Sequence, residues 1–238
     1  MRHYLPLLTA LSLGVGFMGL GDVPQFLPQL LRGAGLTVEL TVLSFVLAIA
    51  GAFVIGLARL STYVTVRVVA SIYVEIFRGT SLLVQLFWIF FVLPEFGVNL
   101  DPFVAAVTGL TLNFAAYGSE IVRGAILSVP RGQHEAVIAL NIGKWKAMRR
   151  VILPQALVPM IPPFGNLCVD LMKSTSLVSV VTLRDLTFAA YQVNQALLRT
   201  IQIFGVAMLI YYIFSQLVRI VFAQLERRFG RGLSRGRV

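Results

Sequence analysis

Apolar and polar positions alternate in blocks: long greasy runs are joined by short polar segments. Runs at about 36–60, 70–92, 103–127, 163–183 and 203–222 each reach or exceed the roughly 20 residues that an α-helix needs to cross hydrocarbon. No stretch shows the ten-residue alternation of a barrel strand, so the pattern predicts an all-α polytopic membrane protein. An earlier run, residues 5–20, follows Arg2 and His3 and has no A-x-A cleavage site behind it. It reads as a retained additional N-terminal membrane helix rather than a removed signal. A Gly-Asp-Val-Pro break ends it, and residues 26–32 then read as a short interfacial helix. The expected division is therefore 1–32 for the N-terminal apolar helix and interfacial segment, 33–229 for the transmembrane domain and 230–238 for a basic cytoplasmic tail. Gly51, Gly56, Gly109, Gly118, Gly124 and Gly205 lie inside the runs, where small residues let helices approach closely.

Composition agrees with the pattern. The 238 residues are 58% hydrophobic and only 13% charged, with a mean hydropathy of +0.85. The net charge of +10 is not a nucleic-acid footprint, because the cations sit in short segments between and after the runs. Arg59, Arg67, Arg131, Lys144, Lys146, Arg149, Arg150 and the Arg227–Arg237 cluster fall on one side. The other side has Arg32, Arg184 and Arg199 beside Asp22, Glu95, Asp101 and Asp185. The positive-inside rule places the cation-rich side and the C-terminus in the cytoplasm. Cys168 is the sole cysteine, which excludes an intrachain disulfide or a cysteine metal site.

The chain has no phosphate loop of the G-x-x-x-x-G-K-[ST] type and no H-E-x-x-H, and His3 and His134 are far apart. No bound metal or cofactor is expected, nor is the chain read as an enzyme. If ATP drives transport, the ATP and Mg belong to a separate ATPase chain. What polar chemistry there is lies inside the runs. Glu75 and Arg78, Glu120 and Arg123, and Asp170 and Lys173 are acid–base pairs spaced to share a helix face. Charges in hydrocarbon need pairing or a wet cavity, so each pair is either self-neutralising or part of a solute path. Arg123 lies near the cytoplasmic end, where snorkelling is the simpler reading. Arg78, Gly79, Thr80 and Gln85 make a polar face on one span, Asn113, Tyr117 and Glu120 on the next, and Lys173 and Ser174 on the fourth. Serine and threonine here also have the plain alternative of bonding back to their own helix. Together these residues form a candidate site for a zwitterionic solute.

Residues 133–156 form the most polar long segment. A short helix is expected up to Leu140, then a turn at Asn141 or Gly143, the residue types that best tolerate left-handed backbone, then a cationic segment and Pro154. On pattern alone this is either a docking element or a basic helix resting on anionic lipid.

Here the sequence resembles the permease subunits of bacterial ABC importers. Glu135-Ala136-Val137, Asn141, Val151 and Leu153-Pro154 fall at the spacing of the family's EAA loop, with Val137, Asn141 and Val151 standing where Ala, Gly and Ile are usual. Tyr73-Val74-Glu75-Ile76-Phe77-Arg78-Gly79-Thr80-Ser81-Leu82-Leu83-Val84-Gln85 resembles a segment of the polar amino-acid uptake family, of histidine, glutamine and arginine permease type, with Ser81 in place of Pro. The likeness runs on through Tyr117, Glu120, Arg123-Gly124, Ile126 to Pro130, Pro163, Gly165-Asn166 and Lys173.

The resemblance implies a five-helix ABC importer permease core in the bacterial inner membrane. It implies as partners a second permease subunit, homologous or identical, two ABC ATPase subunits and an extracytoplasmic solute-binding protein. It further implies a coupling loop at about 131–154, in which Glu135, Ala136, Val137, Leu140, Asn141 and Gly143 engage an ATPase, and a substrate site that includes Arg78, Gly79, Thr80, Glu120 and Ser174. Relatives often carry Asp at the position of Ser174, and its loss points from a cationic solute toward a neutral zwitterion, a polar amino acid or an ectoine-like compatible solute. The competing reading is an ion-gradient-driven secondary transporter using the acid–base pairs as proton sites, against which the absence of a detectable inverted repeat weighs.

Overall fold

The computed structural model describes residues 23–230, so the apolar run at 5–20 and most of the basic tail lie outside the described residues. Eight helices follow in order: α1 (Val23–Ala58), α2 (Val64–Gly79), α3 (Leu82–Phe96), α4 (Pro102–Leu127), α5 (Arg131–Ala139), α6 (Lys144–Val181), α7 (Leu186–Leu197) and α8 (Thr200–Gly230). Among the described residues α1, α6 and α8 are long and apolar enough to cross a membrane, and α2 and α3 meet the same test only when taken together, as a pair bent by 103°. α4 is the central helix. Its 26 residues reach about 39 Å, and its polar side chains are tolerable because α1, α2 and α6 pack around it.

α1 packs most extensively on α4, and small residues set their spacing. A Cβ on Gly118 would stand 2.7 Å from the Ala52 Cβ, and one on Gly51 would stand 2.9 Å from the Ala115 Cβ. Gly56 and Gly109 are similarly closed off, whereas Gly124 faces open space and serves no such contact. Around this seam Leu40, Ala48, Leu110, Phe114, Met160 and Leu171 form the main core.

Three helix boundaries differ from the sequence reading. The expected interfacial helix at 26–32 is the first part of one continuous α1. Phe26, Leu30 and Ala34 are buried against Leu186, Ala189, Ala190 and Val193 of α7, so protein rather than the lipid interface covers them. The span expected from residue 163 begins at Lys144, and Pro154, Pro159, Pro162 and Pro163 all lie within α6. Pro154 would press on the carbonyl four residues back, and the helix widens into a π-turn over Met148–Ile152 just before it, with the Leu153 N–H reaching the Met148 carbonyl.

The third difference is α7, a helix absent from the expected set. Asp185 caps it by accepting from the Thr187 and Phe188 N–H groups, and Leu186, Ala189, Ala190 and Val193 give it a buried face at helical spacing.

Candidate functional site

The α2–α3 pair breaks at Thr80–Ser81, where both residues are extended (φ −117° and −70°). A break at membrane depth frees carbonyls that lipid cannot satisfy, so other groups must take them. Gln85 Nε2 donates to Thr80 Oγ1 at 2.7 Å and to the Phe77 carbonyl at 3.0 Å. Asn113 Nδ2, from α4, donates to the same Phe77 carbonyl and to Gln85 Oε1, each at 3.0 Å. Tyr73 adds a 2.6 Å bond from its hydroxyl to the Leu112 carbonyl. The amides therefore tie the broken span to the central helix. The bend persists although Ser81 replaces the proline of the resemblance, because these amides occupy the freed carbonyl.

Next to the break lies a charge cluster. Glu120 Oε1 is 2.8 Å from Arg59 Nη1 and accepts a hydrogen bond from Arg78 Nη1 at 3.0 Å, while Oε2 accepts from Arg123 Nε at 3.2 Å. Arg78 also stands over the Tyr117 ring, 5.3 Å from its centroid. Of the three sequence-spaced pairs only Glu120 and Arg123 meet among the described residues. Arg78 reaches across to α4 instead of to Glu75, and Asp170 and Lys173 both remain exposed without an ion pair. Arg123 turns its head inward to Glu120 rather than snorkelling away.

Arg78, Tyr117 and Glu120 thus form one contact set and Thr80, Gln85 and Asn113 a second, and the two are joined only through the backbone of residues 77–80, which includes Gly79. Among the described residues, the side chains of Lys173 and Ser174 share no hydrogen bond or ion pair with these residues. Lys173 instead lines a cavity of about 450 Å³ with Thr187, Tyr211, Ser215 and Arg219, between α6, α7 and α8. The hydroxyls after it bond back to their own helix: Thr175 to the Met172 carbonyl and Ser176 to the Lys173 carbonyl. The residue missed by sequence reasoning is Arg59. It closes α1 and counted only as a loop cation, and nothing in the order of residues signals that it meets a carboxylate three helices further on, in α4.

The polar loop forms the expected helix and turn. Leu140 ends α5, and Asn141 takes the left-handed conformation (φ 49°). The Asn141 N–H donates to the Ile138 carbonyl and the Ile142 N–H to the Val137 carbonyl, both at 3.0 Å, a Schellman ending. Gly143, at φ −58°, instead starts the next helix, so the bend stays at Asn141. Val137 is buried, whereas Glu135, Ala136, Ile138, Leu140 and Trp145 are exposed. Gln155 Nε2 donates to Gln133 Oε1 at 3.2 Å, which joins α5 to α6.

Comparison with known proteins places this architecture. Residues 48–231 match the family described as the binding-protein-dependent transport system inner membrane component. A probable amino-acid ABC transporter permease protein, y4tF, of Sinorhizobium fredii (strain NBRC 101917 / NGR234) is 44% identical over 217 residues, covering 89% of this chain and 88% of that protein. The L-cystine transport system permease protein TcyB of Bacillus subtilis (strain 168) is 42% identical over 229 residues, covering 96% and 98%. A crystal structure of an amino acid ABC transporter with histidines superposes with a TM-score of 0.82 at 33% identity, covering 87% of this chain and 97% of that one. The family excludes the secondary-transporter reading, and the chain belongs to the inner-membrane permease components of binding-protein-dependent ABC importers, which are not themselves ATPases.

Proposed function

We propose that this permease carries a polar amino acid into the cytoplasm through a site built on the break between α2 and α3. The observation that carries the reading is the pair of polar clusters beside that break, Arg78 with Tyr117 and Glu120 on one hand and Thr80 with Gln85 and Asn113 on the other. It offers the exposed guanidinium of Arg78 for the carboxylate of an amino acid. Relatives named for cystine and, in Escherichia coli (strain K12), for glutamine support an amino acid over an ectoine-like solute. Lys173 and Ser174 complete the site from the side of a second permease subunit. Exposed Asp170 and Lys173 support this, since charges on a span need a polar neighbour.

Transport is powered by two ATPase subunits that hold ATP and Mg. The exposed face of α5 and its turn, with Glu135, Ala136, Leu140, Asn141 and Gly143, docks on one of them, and buried Val137 seats the helix from behind. The membrane domain takes in the whole of α1 and runs to residue 229, its C-terminus is cytoplasmic, and an extracytoplasmic binding protein delivers the solute.

The test is ATP hydrolysis by the reconstituted complex against a panel of L-glutamine, L-cystine, L-arginine, L-histidine and ectoine. Stimulation by a neutral amino acid at least several-fold above ectoine is expected, with Glu135→Lys abolishing stimulation but not membrane insertion. Stimulation by ectoine alone, or unchanged coupling in the Glu135 variant, would overturn the reading.

A further inference from the structure

Glu120 Oε1 is claimed by two arginines of unequal fit. Arg78 Nη1 makes an aligned hydrogen bond to it at 3.0 Å. Arg59 Nη1 is closer, at 2.8 Å, yet meets it without alignment, and both Nη1 and Nε of Arg59 are buried with no hydrogen-bond partner among the described residues. A buried guanidinium with unused donors is costly and calls for an explanation. The two arginines differ in freedom as well. The Arg59 side chain is 15% exposed at the end of α1, whereas that of Arg78 is 42% exposed beside the break.

We propose that Arg59 is a positioning residue that takes over Glu120 when Arg78 turns to the solute. This rests on Arg78 receiving a carboxylate in the site described above. In the empty site Glu120 stands in for that carboxylate. As the solute arrives, Arg78 leaves Oε1, the lone pair it held becomes open, and the waiting N–H groups of Arg59 align with it. Arg123 keeps Oε2 throughout. Without Arg59 the departure of Arg78 would leave Glu120 Oε1 without a partner and only Arg123, at 3.2 Å on Oε2, beside the carboxylate, so Arg78 would be held back from the solute. α1, α2 and α4 meet at this one carboxylate, so the exchange also changes which pair of helices is tied together.

The experiment uses the reconstituted complex and uptake of radiolabelled L-glutamine and L-cystine. Arg59→Gln should raise KM about tenfold or more while kcat falls less than about threefold, and Arg59→Lys should recover most of the loss. Because Arg59 acts only through Glu120, the double variant Arg59→Gln/Glu120→Gln should be no worse in KM than Glu120→Gln alone. An Arg59→Gln transporter with wild-type KM, while Arg78→Gln raises it, overturns the role of Arg59 and leaves the solute site standing. If Arg78→Gln also leaves KM unchanged, the solute-site reading itself fails. Should Arg59→Gln not insert, Arg59→Lys and the double variant decide, and additive losses in KM overturn the proposal.

Discussion

The chain turns sharply at two places that solve the same problem differently. Between α2 and α3 the backbone bends by 103° within the membrane domain, and the freed groups are taken by amide side chains, one of them from another helix. After α5 the backbone turns on the polar face, and the helix closes itself with two of its own N–H groups around a left-handed Asn141. The difference follows from solvent. Water can accept what a loop leaves open, whereas at membrane depth every donor and acceptor needs a protein partner. A turn in the membrane is therefore a tertiary structure and a turn in the loop is a local one.

The widest separation between the two should come from Gln85→Leu. It strips a partner from Thr80 Oγ1, leaves Asn113 half-bonded and puts the whole of the Phe77 carbonyl on Asn113. Interhelical bonds in membranes average only about 0.6 kcal/mol, but stranded buried groups cost about 1–3 kcal/mol, so the second effect decides the outcome. A loss of about 2 kcal/mol is expected, read as a fall of about 4–8 °C in the unfolding midpoint of the detergent-solubilised protein, together with loss of uptake. An unchanged midpoint would mean that the bend does not depend on the central helix.

How much of this was legible in the sequence divides along the same line. Local features were readable: the apolar runs that become α1, α6 and α8, and the helix ending at Leu140, rest on neighbours in the chain, whereas the turn was narrowed only to Asn141 or Gly143 and the run at 103–127 is helical but not among the helices apolar enough to cross a membrane. The family likeness also carried through to the match over residues 48–231. Features that depend on a partner in another helix were not. The run at 70–92 looks like one straight span, because Thr80 and Ser81 break a helix only if Gln85 and Asn113 are in place to receive it. Glu75 and Arg78 satisfy the spacing of a local pair, yet the guanidinium goes to Glu120, which has two further arginines around it. α7 is an intermediate case. Its cap at Asp185 and its spacing of Leu186, Ala189, Ala190 and Val193 were there to be read, but the segment is only 12 residues long and sits between two stronger apolar runs.

A middle-sized effect should come from Asn141→Val. A β-branched residue at φ 49° is strained by about 1–2 kcal/mol, and the strain falls on the turn alone. Because the loop can open by itself without unfolding the spans, little of this strain reaches the global midpoint, which should stay within about 2 °C of the parent. Solute-stimulated ATP hydrolysis should fall at least twofold while basal hydrolysis is kept. A variant that instead lowers the midpoint as much as Gln85→Leu would erase the distinction between the two turns.

The smallest effect should come from Asn141→Gly, which restores the residue usual in the resembling family. Glycine removes the left-handed penalty that asparagine only partly escapes, but it also gives the unfolded chain more freedom, and the two terms of about 0.5–1 kcal/mol oppose each other. The Schellman bonds use backbone N–H groups of residues 141 and 142, which the substitution leaves in place. Stimulated ATP hydrolysis should therefore remain within about twofold of the parent, and the midpoint should not move measurably. Gly143 holds no left-handed angle and starts the following helix, so Gly143→Ala should be equally mild. If Gly143→Ala were severe and Asn141→Gly harmless, the bend would have to lie at residue 143 during coupling, and the local turn would be a moving part rather than a fixed one.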